Sequence, residues 1–233
     1  VKIDLTMTTA LRPEVLDATL WSIRENLVWD DGFNLIINLA LVGGKYSIED
    51  IRQVISRYFS DHQIRVKRIS SSTDGLRWTW KKTQSEFVLQ WEDDWVLREK
   101  VDLFSIINFM GDSVNMIFLD RHQKSVLDAY AEGTFTHIHS GFCKKMKNQV
   151  LVGSPALYRK SSIDQVVDLI DPLKQLGVNS ASEQIQNIIK SWLVYAYTGA
   201  SGRLVEDIGR AWMRKNNLVR VQNHGGHTWK EKL

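Results

Sequence analysis

The chain has 233 residues, 43% of them hydrophobic and 24% charged, the composition of a folded globular protein with a sizeable core. A net charge of +3 suits an anionic small molecule and is too weak to argue for nucleic acid. The single cysteine, Cys143, excludes an internal disulfide framework and a cysteine-based metal site, and it fits a reducing compartment.

Val1-Lys2-Ile3-Asp4-Leu5 lacks the apolar core of a signal peptide. The most apolar runs, Leu35–Val42 and Trp192–Tyr197, are too short to span a bilayer, so a protein that is cytosolic, or that acts at a membrane face without crossing it, is expected. Nine tryptophans add weight to ligands with stacking faces, such as sugars and bases.

Ile3–Met7 reads as a strand that ends at Thr8-Thr9-Ala10-Leu11-Arg12. Pro13 suits the first turn of a helix whose apolar stripe is Val15, Leu16, Leu20, Ile23 and Leu27. Phe33–Leu41 is a second strand, broken by Gly43-Gly44. Ser47-Ile48-Glu49-Asp50 then resembles a capping box opening a helix with Ile51, Val54, Ile55 and Tyr58. Ile64–Ile69 is a third strand. Ser70–Gly75 reads as a loop before a short helix to about Gln84, and Phe87–Trp91 as a buried fourth strand. The order β-α-β-α-β-α-β predicts a mostly parallel sheet covered by helices.

The second half is less regular. Val101–Met110 reads as a helix, Asn115–Leu119 as a strand, and His137-Ile138-His139 as a hairpin or loop. Val150–Tyr158 looks like a strand interrupted at Gly153–Pro155, and Ser161–Ile170 like a helix. Another helix begins near Glu183 and runs through Trp192 and Leu193. Arg203–Asp207 leads into a last helix, and a strand-like Val219–Gln222 precedes His224-Gly225-Gly226-His227. Without a repeat or linker, one domain is expected, with a nucleotide-binding half over about 1–95 and an acceptor-side half over about 96–233.

The fourth strand runs into Glu92-Asp93-Asp94, three carboxylates that repel one another unless a cation or hydrogen-bond donors compensate them. Ligands of open parallel sheets bind beyond the carboxyl ends of the strands. Thr8–Arg12, Ser70–Arg77 and the acidic strand end should therefore open onto one crevice. Hydroxyls, basic groups and carboxylates converging there suit a nucleoside diphosphate with its divalent metal.

In this order of motifs the chain resembles the GT-A glycosyltransferases, of a compact viral or bacterial type. The resemblance implies a Rossmann-like fold, a nucleoside-diphosphate sugar donor, most often UDP-linked, and Mn²⁺ or Mg²⁺. It implies a hydroxyl acceptor such as a glycan. Glu92-Asp93-Asp94 stands where the family carries its acidic motif, with Glu92 and Asp94 as metal ligands and Asp93 beside the donor. Gly153-Ser154 matches a glycine-containing segment next to the sugar. Glu183, opening a helix, matches the catalytic base of inverting members, although the residue pair usual in the family is absent, and Asp207 is the rival. His227 and His224 match a histidine near the carboxyl terminus that joins the metal shell.

For the nucleotide, the expected contacts are Thr8, Thr9 and Arg12 after the first strand, and Gly75 and Arg77 before the acidic one. Two competing readings are a sugar nucleotidyltransferase and a non-catalytic glycan- or nucleic-acid-binding module. The first would carry a glycine-rich loop after the first strand, and Thr8–Pro13 has no glycine. The second leaves the ordered acidic, glycine and histidine features unexplained.

Overall fold

The computed structural model describes residues 2–42, 45–68, 71–119, 135–138, 141–146, 155–171, 183–199, 204–223 and 226–231. The first half runs β1 (Ile3–Ala10), α1 (Pro13–Asn26), β2 (Leu27–Val28), β3 (Phe33–Ala40), α2 (Ile48–Tyr58), β4 (His62–Lys67), α3 (Ser72–Lys82) and β5 (Phe87–Glu92). There follow β6 (Trp95–Leu97), β7 (Val101–Asp102), α4 (Leu103–Met110), β8 (Met116–Leu119), β9 (Phe135–Ile138), β10 (Gly141–Lys145), β11 (Ala156–Arg159) and α5 (Lys160–Val166). The last elements are α6 (Glu183–Lys190), β12 (Val194–Gly199), β13 (Val205–Asp207), α7 (Gly209–Lys215), β14 (Leu218–Asn223) and β15 (Gly226–Glu231).

Nine strands form one sheet in the order β4-β3-β1-β5-β11-β8-β12-β10-β9. β4, β3, β1 and β5 are mutually parallel, and β12 is parallel to β8. β11 and β10 run against their neighbours. Because β11 lies between β5 and β8, both halves of the chain share this sheet. From β1 the chain winds outward through β3 to β4, then returns through α3 to place β5 on the other side of β1. That reversal opens a crevice between the carboxyl ends of β1 and β5, where sheets of this kind take their ligands.

Alternation along the strands divides the core into two layers. Leu5 and Met7 of β1, Leu35 and Ile37 of β3, and Leu89 and Trp91 of β5 face α1, α2 and α4. Val88 of β5, Met116 and Tyr158 face α3, α5 and α6 through Leu76, Trp80, Ile163, Ile185 and Ile189. At α2 the expected capping box is present: the Ser47 hydroxyl accepts from Asp50 N, and the Asp50 carboxylate accepts from Ser47 N.

Two expectations need correction, and the carboxyl-terminal tail gains an element that had no expectation. The stretch expected as a loop up to Gly75 is already helical from Ser72, because the Ser71 hydroxyl caps α3 by accepting from Asp74 N at 2.9 Å. The helix opened by Glu183 stops at Lys190 rather than running through Leu193. Leu193 N donates to the Asn115 side chain at 2.7 Å, and the β-branched and aromatic run that follows becomes β12 beside β8. The tail from Gly226 is a strand, β15, paired with β14.

Candidate functional site

The crevice at the reversal has a volume of about 310 Å³, within the range of small-molecule sites. Thr8 and Thr9 reach it from the end of β1, Asn38 and Ala40 from β3, and Ser71 and Ser72 from the start of α3. Arg12 and the Glu92-Asp93-Asp94 turn form its floor, and Asp207 and Met213 close it from the last helix and the strand before it.

Arg12 immediately precedes α1 and is 4% exposed. Its guanidinium grips both oxygens of Asp93, through Nη2 to Oδ1 and through Nε to Oδ2 at 3.3 Å. Both Nη atoms also lie 3.3 Å from Asp94 Oδ2. Asp93 accepts further from the Thr9 hydroxyl at 2.9 Å and from Ala10 N at 3.2 Å. Its backbone is pinned as well: Asp93 N donates to the Thr8 carbonyl, and the Thr19 hydroxyl of α1 donates to the Asp93 carbonyl at 2.7 Å. The middle carboxylate is thus compensated from within the protein and sets the shape of the turn.

The two outer carboxylates differ. Glu92 accepts from the Trp95 indole at 3.0 Å. Burial, and then the charge of Asp94, push its pKa up to about 7. Asp94 is also pushed upward, by burial first and by Asp93 next, against the opposing pull of Arg12. Asp207 adds to that repulsion from across the crevice. It is brought there because β13 pairs with β6, Asp207 opposite Trp95, while Glu206 faces away and bonds Arg98 at 2.7 Å. Gly209 packs directly on Asp94, and a side-chain carbon at Gly209 would overlap Asp94 Oδ2. Ile208 N donates to the Asp94 carbonyl at 2.8 Å, so the start of α7 is fixed to the acidic turn.

Glu92, Asp93, Asp94 and Asp207 face two guanidiniums, Arg12 shared between Asp93 and Asp94 and the exposed Arg210 3.6 Å from Asp207, so the carboxylates outnumber the cations at the crevice. A divalent cation fits this donor set. Mg²⁺ and Mn²⁺ take carboxylate oxygens, and Mg²⁺ in particular keeps waters and substrate phosphates in its shell rather than requiring an all-protein cage. Among the described residues, no group of three or more acidic, histidine or cysteine side chains is placed to hold a metal ion by itself.

Of the residues expected from the sequence, Thr8, Thr9, Arg12, Glu92, Asp93, Asp94 and Asp207 come together here. Gly75 and Arg77 do not. Gly75 is buried inside α3, and a side-chain carbon there would lie 2.7 Å from Asn38 Nδ2 and 2.9 Å from Thr8 Cγ2. It therefore serves close helix–sheet packing. Arg77 lies 3.7 Å from Asp168, which follows α5. Glu183 is exposed at the first residue of α6 and outside the crevice lining. Since α6 descends to the start of β12, Glu183 lies toward the edge onto which β1 and β5 open. His227 lies on β15, opposite Gln222, and its side chain is outside the described residues. Gly153, Ser154 and His224 also lie outside them.

Sequence reasoning missed Asn38, which is 2% exposed at the crevice and accepts from Arg65 Nε at 2.6 Å. A polar residue interrupting the apolar run of β3 was the available signal. Ser71 and Ser72 lie in the Ser70–Arg77 stretch expected to open onto the crevice, and they reach it from a helix start rather than from a loop.

No protein-family model matches the chain, and no curated protein sequence is detectably similar to it. Solved structures are similar in fold. S. aureus TarS residues 1–349 in complex with UDP-GlcNAc superimposes with a TM-score of 0.56 at 14% identity, covering 84% of this chain and 58% of that one. The mannosyltransferase PcManGT from Pyrobaculum calidifontis, in complex with GDP-Man and Mn²⁺, gives a TM-score of 0.55 at 10% identity, covering 92% and 60%. The chain therefore spans less than two thirds of those solved chains. With its α/β architecture and strand order, this likeness shows the GT-A-type fold.

Proposed function

We propose that this chain transfers a sugar from a nucleoside-diphosphate donor, with UDP-sugars the first class to test, to a hydroxyl acceptor such as a glycan. The observation that carries the reading is that Glu92, Asp94 and Asp207 all line the crevice at the reversal between β1 and β5 of a GT-A fold. A crevice with this charge repels a free diphosphate and accepts one that arrives with a divalent cation. The solved relatives in complex with UDP-GlcNAc, and with GDP-Man and Mn²⁺, support the same donor class.

In this reading Asp94 and Glu92 would hold Mn²⁺ or Mg²⁺, which as a Lewis acid stabilises charge on the departing diphosphate. Arg12 and Asp93 keep the turn rigid, so both outer carboxylates are positioned before the donor binds. Thr8, Thr9, Asn38, Ser71 and Ser72 offer hydroxyl, amide and backbone groups along the nucleotide's path. The base is assigned to Glu183, which would take the proton from the attacking acceptor hydroxyl in an inverting transfer. Asp207 sits beside Asp94, on the diphosphate side, and suits donor positioning better than proton removal. His227 and His224, with Gly153-Ser154, remain proposed donor-side groups.

The test is a panel of nucleotide sugars with and without Mn²⁺, read by calorimetric binding and by release of the nucleoside diphosphate. Metal-dependent binding of at least one donor is expected. If none binds or is hydrolysed, the transferase reading fails.

A further inference from the structure

A second cavity, of about 390 Å³, opens at the opposite edge of the sheet, beside Phe87 at the start of β5. One wall is aromatic: Trp29 and Phe104 lie with ring centroids 4.3 Å apart and planes tilted by 33°, and Phe104 is 40% exposed. The rest is polar, with Asp31, Asn108, Asp112 and the ion pair of Arg159 with Glu86 at 2.8 Å. The Arg159 guanidinium also lies 5.0 Å from the Phe87 ring centroid, within cation–π range.

Two lining residues carry an unanswered donor. Trp29 Nε1 and Arg159 Nε are buried without an acceptor in the protein, two of only four such side-chain atoms among the described residues. Orphaned buried donors are uncommon and call for an explanation. Both residues line the same cavity, so one occupant that reaches the two N–H groups answers both. Such a ligand brings acceptor oxygens to these groups, hydroxyl donors to the carboxylates and Asn108, and apolar C–H surface to the aromatic wall. An anion meets three carboxylates there. A cation suits the rings and acids but leaves both N–H groups unanswered and faces Arg159. A sugar ring without charge satisfies all three demands at once.

We propose that this pocket is a binding subsite for one or two units of a neutral saccharide, separate from the acidic crevice. β5 has six residues, so the two sites lie roughly 20 Å apart at the strand's rise per residue and can be filled together. If the crevice transfers sugar to a glycan, as proposed above, a second hold on the same glycan raises its effective concentration at the first site. The subsite itself does not depend on that reading.

The test is ¹⁵N nuclear magnetic resonance of the indole N–H groups during titration with neutral oligosaccharides: maltohexaose, chitohexaose, mannohexaose and a galacto-oligosaccharide. The Trp29 signal is identified as the one absent from Trp29→Phe. At least one saccharide should move that signal saturably at millimolar concentration. Phe104→Ala and Asn108→Ala, both at exposed positions, should weaken that saccharide roughly tenfold, and UDP with Mn²⁺ should not displace it. The proposal is overturned if no saccharide moves the Trp29 signal, if both variants bind as wild type, if UDP competes, or if choline, titrated in parallel as a cationic probe, is the one ligand that moves it. Saccharide binding without any donor binding would sink the transferase reading and leave the subsite standing.

Discussion

The Arg12 guanidinium and the Asp93 carboxylate form a two-pronged ion pair with side chains only 5% and 4% exposed. Removing one partner leaves the other charge buried and uncompensated, a loss of about 3–5 kcal/mol. Asp93→Ala should therefore lower stability by about that amount in urea unfolding. Arg12→Lys should lose much of it as well, because an ammonium cannot span both oxygens. A paired Arg12→Met, Asp93→Leu variant should lose less than the two single changes summed.

Asp94 has a different role, with its side chain 24% exposed toward the crevice. Asp94→Asn should retain the wild-type melting temperature to within a few degrees and lose Mn²⁺-dependent nucleotide-sugar binding. Calorimetry with and without the metal measures it, and unchanged affinity would remove Asp94 from the donor site.

Gly209 permits the contact between α7 and Asp94. Gly209→Ala should push the carboxylate aside or lift the helix, costing about 1–3 kcal/mol as overpacking does. Donor affinity should fall by roughly tenfold or more, about 1.4 kcal/mol. A variant that binds donor like wild type would show that the crevice tolerates a displaced Asp94.

Glu92, held up at about 7 by burial and by Asp94, makes the metal-free protein pH-sensitive. Its folded pKa lies above its ordinary value of 4.5, so the folded state binds the extra proton. The stability this contributes is present below about 4.5 and is lost as pH rises through about 7, a change on the order of 1–3 kcal/mol. Melting in chelator should decline across that window, and Glu92→Gln should flatten the decline. Added Mn²⁺ should raise the melting temperature more above pH 7 than at pH 5.

Glu183→Gln should leave donor binding intact and reduce transfer by roughly 10²–10⁴, the usual contribution of a general base. Turnover at the wild-type rate would shift the assignment to Asp207 or to a reaction without a base. The two are separated by Asp207→Asn, which should weaken donor binding first.

The crevice was legible where hydrophobic periodicity and local chemistry agree. Phe87–Trp91 ending in three acids marked the strand and its site, and Pro13 and Ser47 marked two helix starts. What escaped depends on long-range pairing. Nothing local says that Glu92, Asp93 and Asp94, adjacent in sequence, differ so much. The distinction comes from Arg12 and Thr9, more than eighty positions away. Gly75 and Arg77 had the composition of a phosphate loop, but the Ser71 cap turned them into a helix packed on β1 and β3. β12 was hidden because a helix-period stripe ran into it without a glycine or proline between them.

The separation of 81 positions between Arg12 and Asp93 also has a kinetic meaning. Local turns of chain cannot assemble the acidic floor, which needs the parallel pairing of β1 with β5 across the three intervening crossovers of α1, α2 and α3. Contacts of such sequence separation form slowly, because loop closure must be met before they give any return. The crevice should therefore appear late and cooperatively in refolding, and partly folded chains should show no affinity for Mn²⁺ and nucleotide. The same buried charge pair that positions the carboxylates would then report, by its presence, that the whole first half of the sheet has closed.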